Sequence, residues 1–381
     1  MIYLDNSATT FPKPSSVYNA IFNASKNFGA NPGRSGYTMS RISGNEIDNC
    51  RKTAAKMFGL DNYKNVSFTL NCTTALNMVI KGYLKQDDHV VVSCLEHNAV
   101  MRPLNKLEEM GIITYTKAKV YPCDDEKTID SFRKAINKKT ALIICTHASN
   151  VWGIRLPIER ISALGKIYGI PILVDGAQSA GIFPINMKKY DIDFLCLAGH
   201  KGLYGPMGTG MLLTNHSDKL DTIIEGGTGT DSMRLCQPKK MPQKFESGTP
   251  NLVGICGLNA GMNFVMNKGI NNIYNHEMSL ILYLYDKLKN LDNVKLYTAR
   301  PEKGKFAPVL GFNVKGYISD EIGRILDKNK IEVRTGLHCS PSAHEFADSL
   351  ETGVVRVSPS VFNTKNDIDQ LVEVIKNIRQ R

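Results

Sequence analysis

Short apolar runs alternate with segments of helical periodicity from about residue 65 to residue 215. The apolar runs predict strands at Val66–Leu70, Val90–Cys94, Thr114–Tyr115, Ala141–Thr146, Ile172–Val174, Phe194–Ala198 and Gly210–Thr214. The intervening segments predict helices at Ala75–Leu84, Ala99–Glu109, Ile129–Asn137 and Ile158–Ile167. Such alternation requires crossover connections, which favour a parallel sheet covered by helices. We therefore predict an α/β fold whose large domain contains a mostly parallel seven-stranded sheet.

The pattern changes after about residue 260. Strand candidates there are Val294–Tyr297, Leu310–Val314, Ile331–Arg334 and Val354–Ser358, and helix candidates are Ile270–Leu291, Ser319–Asn329 and Lys365–Arg379. This mixture predicts a small α+β domain, and we expect the N-terminal residues to pack near it. The predicted large domain is 16–260, and the predicted small domain combines 1–15 with 261–381.

Polar side chains come directly after several of the predicted strands. His97, Asn150, Asp175, Gln178 and Lys201 all occupy such positions. In open parallel sheets, ligands bind beyond the carboxyl ends of the strands. The sequence therefore predicts that these five residues share one site.

Lys201 and Asp175 are the most informative of them. Lys201 lies where an apolar strand meets a glycine-rich turn, and a buried ammonium group there is costly unless it is paired or neutralised. Desolvation lowers the pKa of a lysine and frees its lone pair to bond a carbonyl carbon. Pyridoxal phosphate (PLP) needs this pair, because the lysine holds its aldehyde and a carboxylate keeps its ring nitrogen protonated. The two residues predict a PLP enzyme.

Three further positions fit a phosphate-bearing cofactor. Thr73 and Thr74 join a strand to a helix, where backbone N–H groups and hydroxyls bind anions, although threonines there are also ordinary helix caps. His200 offers donor nitrogens to the same phosphate. His97 is either an ordinary loop histidine or a ring that stacks on the cofactor and shuttles protons.

Cys339 lies in a loop bounded by glycine and proline, which predicts an exposed thiol. A catalytic thiol must ionise, and nearby Arg334 or His338 would favour the thiolate. No second Cys–His pair is present to complete a metal site, so we expect no metal. Arg356, inside an apolar strand, is either a structural ion-pair partner or a bidentate clamp for a substrate carboxylate.

Composition excludes several classes of protein. With 42% hydrophobic and 22% charged residues, the 381-residue chain is typical of a globular protein. No apolar run approaches the roughly 20 residues that span a bilayer, and the start lacks a signal peptide, so we expect a cytoplasmic protein without membrane contact. Nine cysteines without a C-x-x-C pair argue against a zinc ribbon or a disulfide framework. The net charge of +11 predicts a solvated basic surface. Such a surface leaves open the binding of an anionic substrate or of an acidic partner protein. The basic clusters are too short to indicate nucleic-acid binding.

Taken together, these motifs resemble the cysteine desulfurase and selenocysteine lyase family, within the class V aminotransferases of fold type I. The resemblance runs from Tyr3-Leu-Asp-Asn-Ser-Ala-Thr-Thr10 to Arg356-Val-Ser-Pro-Ser-Val-Phe-Asn-Thr364. Gly199-His-Lys201 paired with Asp175-Gly-Ala-Gln178 is specific for this class, and Arg334-Thr-Gly-Leu-His-Cys339 is the part that distinguishes desulfurases. The short interval between Cys339 and Arg356 is similar to the group II branch of the family.

The resemblance implies a role for each cofactor residue. Lys201 would bond the aldehyde and later move the Cα proton, Asp175 would pair with the ring nitrogen, and Gln178 would hydrogen-bond the ring phenolate. His97 would stack on the ring and act in catalysis. The phosphate would be bound by Thr73 and His200, with Thr74 beside them, and by Thr249 of the neighbouring subunit in a homodimer. The chain departs from the family at Thr74, where glutamate is common, and at Ala198, where serine is common.

The resemblance also implies the reaction. Asn150, Arg334 and Arg356 would hold the substrate, and Cys339 would attack its sulfur, which yields L-alanine and a persulfide on Cys339 for an acceptor protein. The alternatives are a selenocysteine lyase with the same residues, and another class V aminotransferase or β-lyase in which Cys339 is not catalytic. A non-catalytic scaffold of this fold is a further alternative, against which the intact set of Lys201, Asp175 and His97 argues.

Overall fold

The computed structural model describes residues 1–32, 36–230 and 232–378. The helices are α1 (Ser15–Asn27), α2 (Thr38–Phe58), α3 (Cys72–Tyr83), α4 (Asn98–Glu109), α5 (Asp125–Ala135), α6 (Ile158–Tyr168), α7 (Met187–Tyr190), α8 (Leu252–Lys268), α9 (Ile270–Leu288), α10 (Ser319–Lys328), α11 (Pro341–Phe346) and α12 (Lys365–Lys376). The strands are β1 (Ile2–Tyr3), β2 (Val66–Thr69), β3 (Asp88–Ser93), β4 (Ile113–Ala118), β5 (Thr140–Thr146), β6 (Ile172–Asp175), β7 (Phe194–Ala198), β8 (Gly210–Thr214), β9 (Val294–Leu296), β10 (Leu310–Val314), β11 (Ile331–Glu332) and β12 (Val355–Val357).

The predicted seven-stranded sheet is confirmed, with the strand order β2-β8-β7-β6-β5-β3-β4. Strand β8 is antiparallel to both of its neighbours, β7 and β2, and every other pairing in the sheet is parallel. All residues of β6, β7 and β8 are buried. A sheet covered by helices on both faces has this continuous burial, which is why its strands are apolar throughout rather than alternating.

A smaller sheet follows later in the chain. Its three strands are antiparallel in the order β12-β10-β9. The N-terminal strand joins this part of the chain, because β1 pairs in parallel with β11. Packing of the N-terminus near the C-terminal elements is thus as expected, whereas the division into domains at residue 260 stays a prediction.

Five helices of the described residues were not predicted, namely α1, α2, α8 and the short helices α7 and α11. Helix α8 contains glycines, which weaken helical propensity, and it packs against both α1 and α2. A side chain at Gly261 would collide with the carbonyl oxygen of Leu203, so the close approach of α8 to that turn requires glycine. The final helix ends at Lys376, and the predicted end at Arg379 lies outside the described residues.

Among the described residues, no helix combines the length and the apolar character needed to cross a bilayer.

Glu277, in α9, is a buried carboxyl group that makes stability depend on pH. Tyr204 Oη donates a hydrogen bond to its Oε1 at 3.1 Å, and burial raises the pKa of Glu277 from 4.5 to about 8. The folded chain therefore holds a proton that the unfolded chain loses above about pH 4.5. The contribution of Glu277 to the free energy of unfolding is therefore complete below about pH 4.5. It is lost progressively as the pH rises from there to about 8.

We expect Glu277→Gln to remove this loss. Relative to the wild type, the variant should gain a few kcal/mol in its free energy of unfolding above pH 8, accruing at roughly 1.4 kcal/mol per pH unit within the window. Urea denaturation across the window measures it, with the exposed Glu351→Gln as control. A constant difference between wild type and Glu277→Gln at all pH values would contradict the prediction.

Candidate active site

A cavity of about 320 Å³ lies at the carboxyl ends of the central strands. Asp175, the last residue of β6, pairs in register with Thr146 of β5 and Cys196 of β7, so these strand ends are level. Of the predicted site residues, the cavity is lined by Thr73, His97, Asn150, Asp175, Gln178, His200, Lys201, Arg334, Cys339 and Arg356. Thr74 and Thr249 do not line it. Both line a separate, larger cavity of about 740 Å³.

Lys201 follows β7 in a turn that leaves its side chain half-buried at the cavity. A side chain at Gly202 would collide with the carbonyl oxygen of Ala180, so glycine there lets the turn pack closely against the segment after β6. Desolvation lowers the pKa of the Lys201 amine, and the opposite charge of Asp175 counteracts this in part. A larger fraction of the amine is therefore neutral and nucleophilic than in an exposed lysine.

Asp175 places a buried carboxylate in the same cavity. Its Oδ1 accepts a hydrogen bond from the Ala177 N–H at 2.9 Å and one from Cys72 Sγ at 3.5 Å. These two bonds fix the rotamer of the carboxylate at the end of β6. Cys72 was not foreseen as a neighbour, because it belongs to α3 and nothing in its local sequence distinguishes it from a core residue.

The start of α3 and His200 form an anion cradle. Asn71 caps the helix, because its Oδ1 accepts hydrogen bonds from the N–H and the hydroxyl of Thr74 at 2.9 and 3.1 Å. Thr74 is thus engaged in the helix cap, whereas the exposed Thr73 lines the cavity. Burial lowers the pKa of His200 to about 4, and its buried Nδ1 has no hydrogen-bond partner among the described residues. A helix N-terminus beside an unsatisfied imidazole nitrogen is suited to a phosphate group.

His97 caps the N-terminus of α4. The Ala99 N–H donates to His97 Nδ1 at 3.0 Å, so the neutral ring carries its hydrogen on Nε2. Burial, reinforced by the charge of Lys201, lowers the pKa of His97 to about 4. At neutral pH the ring therefore presents an N–H donor to the cavity rather than a positive charge.

The Cys339 loop is held from two sides. The Asn98 N–H donates to the Cys339 carbonyl oxygen at 2.7 Å, and Asn150 Nδ2 donates to the His338 carbonyl oxygen at 2.8 Å. Ser340 Oγ in turn donates to Asn150 Oδ1 at 2.7 Å. His338 and Cys339 both have left-handed backbones, with φ of 53° and 55°, which non-glycine residues adopt at a cost. These bonds hold the loop in that conformation and leave the Cys339 side chain exposed, as predicted.

This geometry gives Asn150 a contact that the sequence did not indicate. Its amide oxygen and one of its N–H groups are committed to the Cys339 loop. One N–H of the amide is left for a ligand. Binding of a substrate carboxylate by Asn150 stays a prediction, and positioning of the loop is what the contacts show.

His338 does not bring a positive charge to the Cys339 thiol. His338 is buried and stacks in parallel on His344, with ring centroids 5.7 Å apart. Burial, together with the charge of Arg356, lowers the pKa of His338 to about 2, so the ring is neutral. Of the two groups considered from sequence, Arg334 is the one that brings positive charge to the cavity.

Arg356 makes the ion pair that was one of its two interpretations. Its Nη2 lies 2.5 Å from Asp5 Oδ1, and its Nη1 donates to the Asn150 carbonyl oxygen at 3.0 Å. The Nε is buried without a hydrogen-bond partner among the residues described, and Arg356 is one of the residues that line the cavity. Its role as a carboxylate clamp stays a prediction.

The segment after β1 was missed as part of the site. Gln178 Nε2 donates to the Ser7 carbonyl oxygen at 3.0 Å, and Ser7 lines the cavity. Ala8 of the same segment also lines the cavity, and Asp5 contributes by pairing with Arg356. Polar residues after a strand identified the other site residues, and the polar run Asp5-Asn-Ser7 follows β1 in a similar way. The residues that it contacts, Gln178 and Arg356, are far away in the sequence.

Comparison with known proteins gives one consistent result. The family model for aminotransferase class V matches residues 2–371. A probable cysteine desulfurase of Halalkalibacterium halodurans is 29% identical over 388 residues, which cover 100% of this chain and 93% of the relative. The solved cysteine desulfurase of Thermococcus onnurineus NA1 superposes with a TM-score of 0.89 at 30% identity, over 98% of this chain and 94% of that one. A cysteine desulfurase of Escherichia coli gives a TM-score of 0.86 at 26% identity, over 98% and 93%.

Proposed function

The chain belongs to the class V aminotransferase family, and on that premise we propose that it is a PLP-dependent cysteine desulfurase. It converts L-cysteine to L-alanine and retains the sulfur as a persulfide on Cys339. The observation that carries this proposal is the exposed Cys339 thiol on the same cavity as Lys201 and Asp175. The names of the relatives at full-length coverage support the same reaction.

The residues of the cavity fit PLP. Thr73 and the unsatisfied Nδ1 of His200 would hold its phosphate, and Lys201 would hold its aldehyde. Asp175 would pair with the ring nitrogen, Gln178 would donate to the ring oxygen and His97 would cover the ring. When bound, PLP supplies an electron sink that stabilises negative charge at the substrate Cα.

The protein residues perform the remaining work. The guanidinium groups of Arg356 and Arg334 and the free N–H of Asn150 orient the substrate carboxylate. The neutral Lys201 amine takes the Cα proton, for which its lowered pKa suits it. Cys339 Sγ, as the thiolate, then attacks the substrate sulfur.

That attack forms one bond and breaks another. The S–S bond forms as the Cβ–S bond breaks, and the bonding pair stays with the carbon, which takes a proton to become the methyl group of alanine. L-cysteine and the Cys339 thiol thus give L-alanine and the Cys339 persulfide, without an external oxidant or reductant. A second thiol must accept the sulfur before the next turnover.

We further propose a homodimer in the cytoplasm. Thr249 lines the larger cavity, beside Thr74, instead of the site of its own chain. Leu70 lines that cavity and is 68% exposed. Met207, which precedes the lining residue Gly208, is 69% exposed. Apolar surface is therefore available there for a second copy that would bring its Thr249 to this site. All nine cysteines are free thiols, which the cytoplasm maintains. We also propose that residues 16–260 form the large domain and that residues 1–15 and 261–381 together form the small domain.

Incubation of the PLP-loaded protein with L-cysteine tests the proposal. Without a reductant we expect equimolar alanine and Cys339 persulfide, measured by amino-acid analysis and mass spectrometry. With dithiothreitol, which removes the persulfide sulfur, we expect continuous alanine formation. Turnover of selenocysteine alone would make the protein a selenocysteine lyase, and turnover of neither would contradict both sulfur and selenium chemistry.

A further inference from the structure

A second groove opens on the outer side of Cys339. It has a volume of about 370 Å³ and runs between α3 and α4. It is lined by Lys81 of α3, by Arg102 and Lys106 of α4, and by Cys339. We call it the α3–α4 groove. Cys339 is exposed and lines both this groove and the candidate active site.

The charge of the α3–α4 groove is uncompensated. Lys81, Arg102 and Lys106 are exposed, and none of them has an ion-pair partner within the described ranges. No aspartate or glutamate is among the groove's lining residues. Nearby surface lysines differ, since Lys85 pairs with Asp221 and Lys117 with Glu345. The groove is therefore a local concentration of positive potential whose lining includes the Cys339 residue.

We propose that the α3–α4 groove docks an acidic segment of a protein that accepts sulfur from Cys339. This inference rests on the proposed function, because it requires a persulfide on Cys339. The acceptor thiolate attacks the outer sulfur of that persulfide. A new S–S bond forms on the acceptor, the bond to Cys339 Sγ breaks, and Cys339 leaves as a thiolate that takes up the acceptor's proton.

The groove favours a protein over a nucleic acid. A single-stranded nucleic acid usually stacks its bases on aromatic side chains, and none apart from the His97 imidazole is found among the groove residues described. A cysteine-bearing acidic segment fits both features of the groove, since its carboxylates meet three cations while its thiol reaches Cys339. The same cations also favour the ionised form of an incoming thiol.

Two synthetic peptides test the proposal with the PLP-loaded enzyme. Both contain one cysteine, flanked by glutamates in one peptide and by lysines in the other. Cys339 is first converted to the persulfide with L-cysteine, and the enzyme is then desalted and mixed with each peptide. At low ionic strength we expect the acidic peptide to accept sulfur roughly tenfold faster or more, and this advantage to shrink as salt is added.

Charge-reversal variants connect the effect to the groove. Lys81→Glu, Arg102→Glu and Lys106→Glu together should remove the advantage of the acidic peptide. The matched control carries Lys138→Glu, Lys315→Glu and Lys328→Glu, three exposed lysines outside the groove, and should keep it. Both variants should transfer sulfur to uncharged dithiothreitol at the wild-type rate, which shows that they fold and catalyse normally.

Several results would overturn the proposal. One is equal transfer to the two peptides, another is an acidic preference that survives in the groove variant, and a third is tighter binding of oligouridylate than of the acidic peptide. Fluorescence anisotropy of a labelled acidic peptide with serine in place of cysteine separates docking from chemistry. Binding that depends on the three cations, in an enzyme that forms no persulfide, would refute the desulfurase proposal and support the docking of an acidic segment.

Discussion

Replacing Lys201 with alanine is expected to abolish alanine formation from L-cysteine, with a loss of roughly 10³-fold or more. Lys201 lines the cavity and its pKa is lowered by desolvation. In the proposed function its neutral form would both bond the cofactor aldehyde and move the Cα proton. Alanine at this position removes both functions. The measurement is alanine release together with borohydride reduction of the PLP-loaded protein and peptide mapping of the cofactor label.

Lys13 provides a stringent control for this prediction. Burial lowers the pKa of Lys13 to about 7, so its amine is also reactive. Its Nζ donates to Thr10 Oγ1 at 2.6 Å and to the His200 carbonyl oxygen at 2.8 Å, and it does not line the cavity. We expect the borohydride label on Lys201 alone, kept in Lys13→Met and lost in Lys201→Ala. Label on Lys13, or turnover by Lys201→Ala near the wild-type rate, would contradict the assignment.

The main sheet was predictable because its signal is local. Each central strand is a short apolar run buried on both faces, and β7, β8 and β10 have the bounds that the sequence predicts. Helix α8 was not predictable in this way. Its glycines lower its helical propensity, and at Gly261 glycine is required because the backbone of Leu203 approaches closely, a tertiary cause that the local pattern does not display.

The same distinction applies to the site. Lys201 and Asp175 could be found because each follows a strand, and parallel strands bring their carboxyl ends to one edge. Arg356 and Asp5, which form an ion pair, are 351 residues apart in the sequence. Asn150 and His338, whose hydrogen bond holds the Cys339 loop, are 188 residues apart. No local rule connects such residues. The neutral state of His338 was likewise hidden, since it results from burial that only the packed structure reveals.

Replacing Cys339 with alanine is expected to eliminate the persulfide and to lower alanine formation from L-cysteine at least ~10²-fold. The hydrogen bonds that hold the loop use the carbonyl oxygens of Cys339 and His338 and the Ser340 hydroxyl, and none involves the Cys339 thiol. The variant should therefore keep the loop and the PLP site. Persulfide is measured by mass spectrometry after one exposure to L-cysteine, and Cys236→Ala, which removes another exposed thiol, should behave as the wild type.

The result for Cys339→Ala also discriminates among the alternatives, because each assigns a different task to this thiol. A desulfurase needs Cys339 to take the sulfur, so the variant must lose alanine formation while its lysine still holds PLP. If the variant keeps turnover of L-cysteine, the sulfur leaves without the thiol, and the protein is a β-lyase in which Cys339 is not catalytic. If the wild type turns over selenocysteine alone and the variant keeps that turnover, the weaker carbon–selenium bond breaks without the thiol, and the protein is a selenocysteine lyase. Loss of PLP binding would contradict the premise that the thiol is independent of the cofactor cradle.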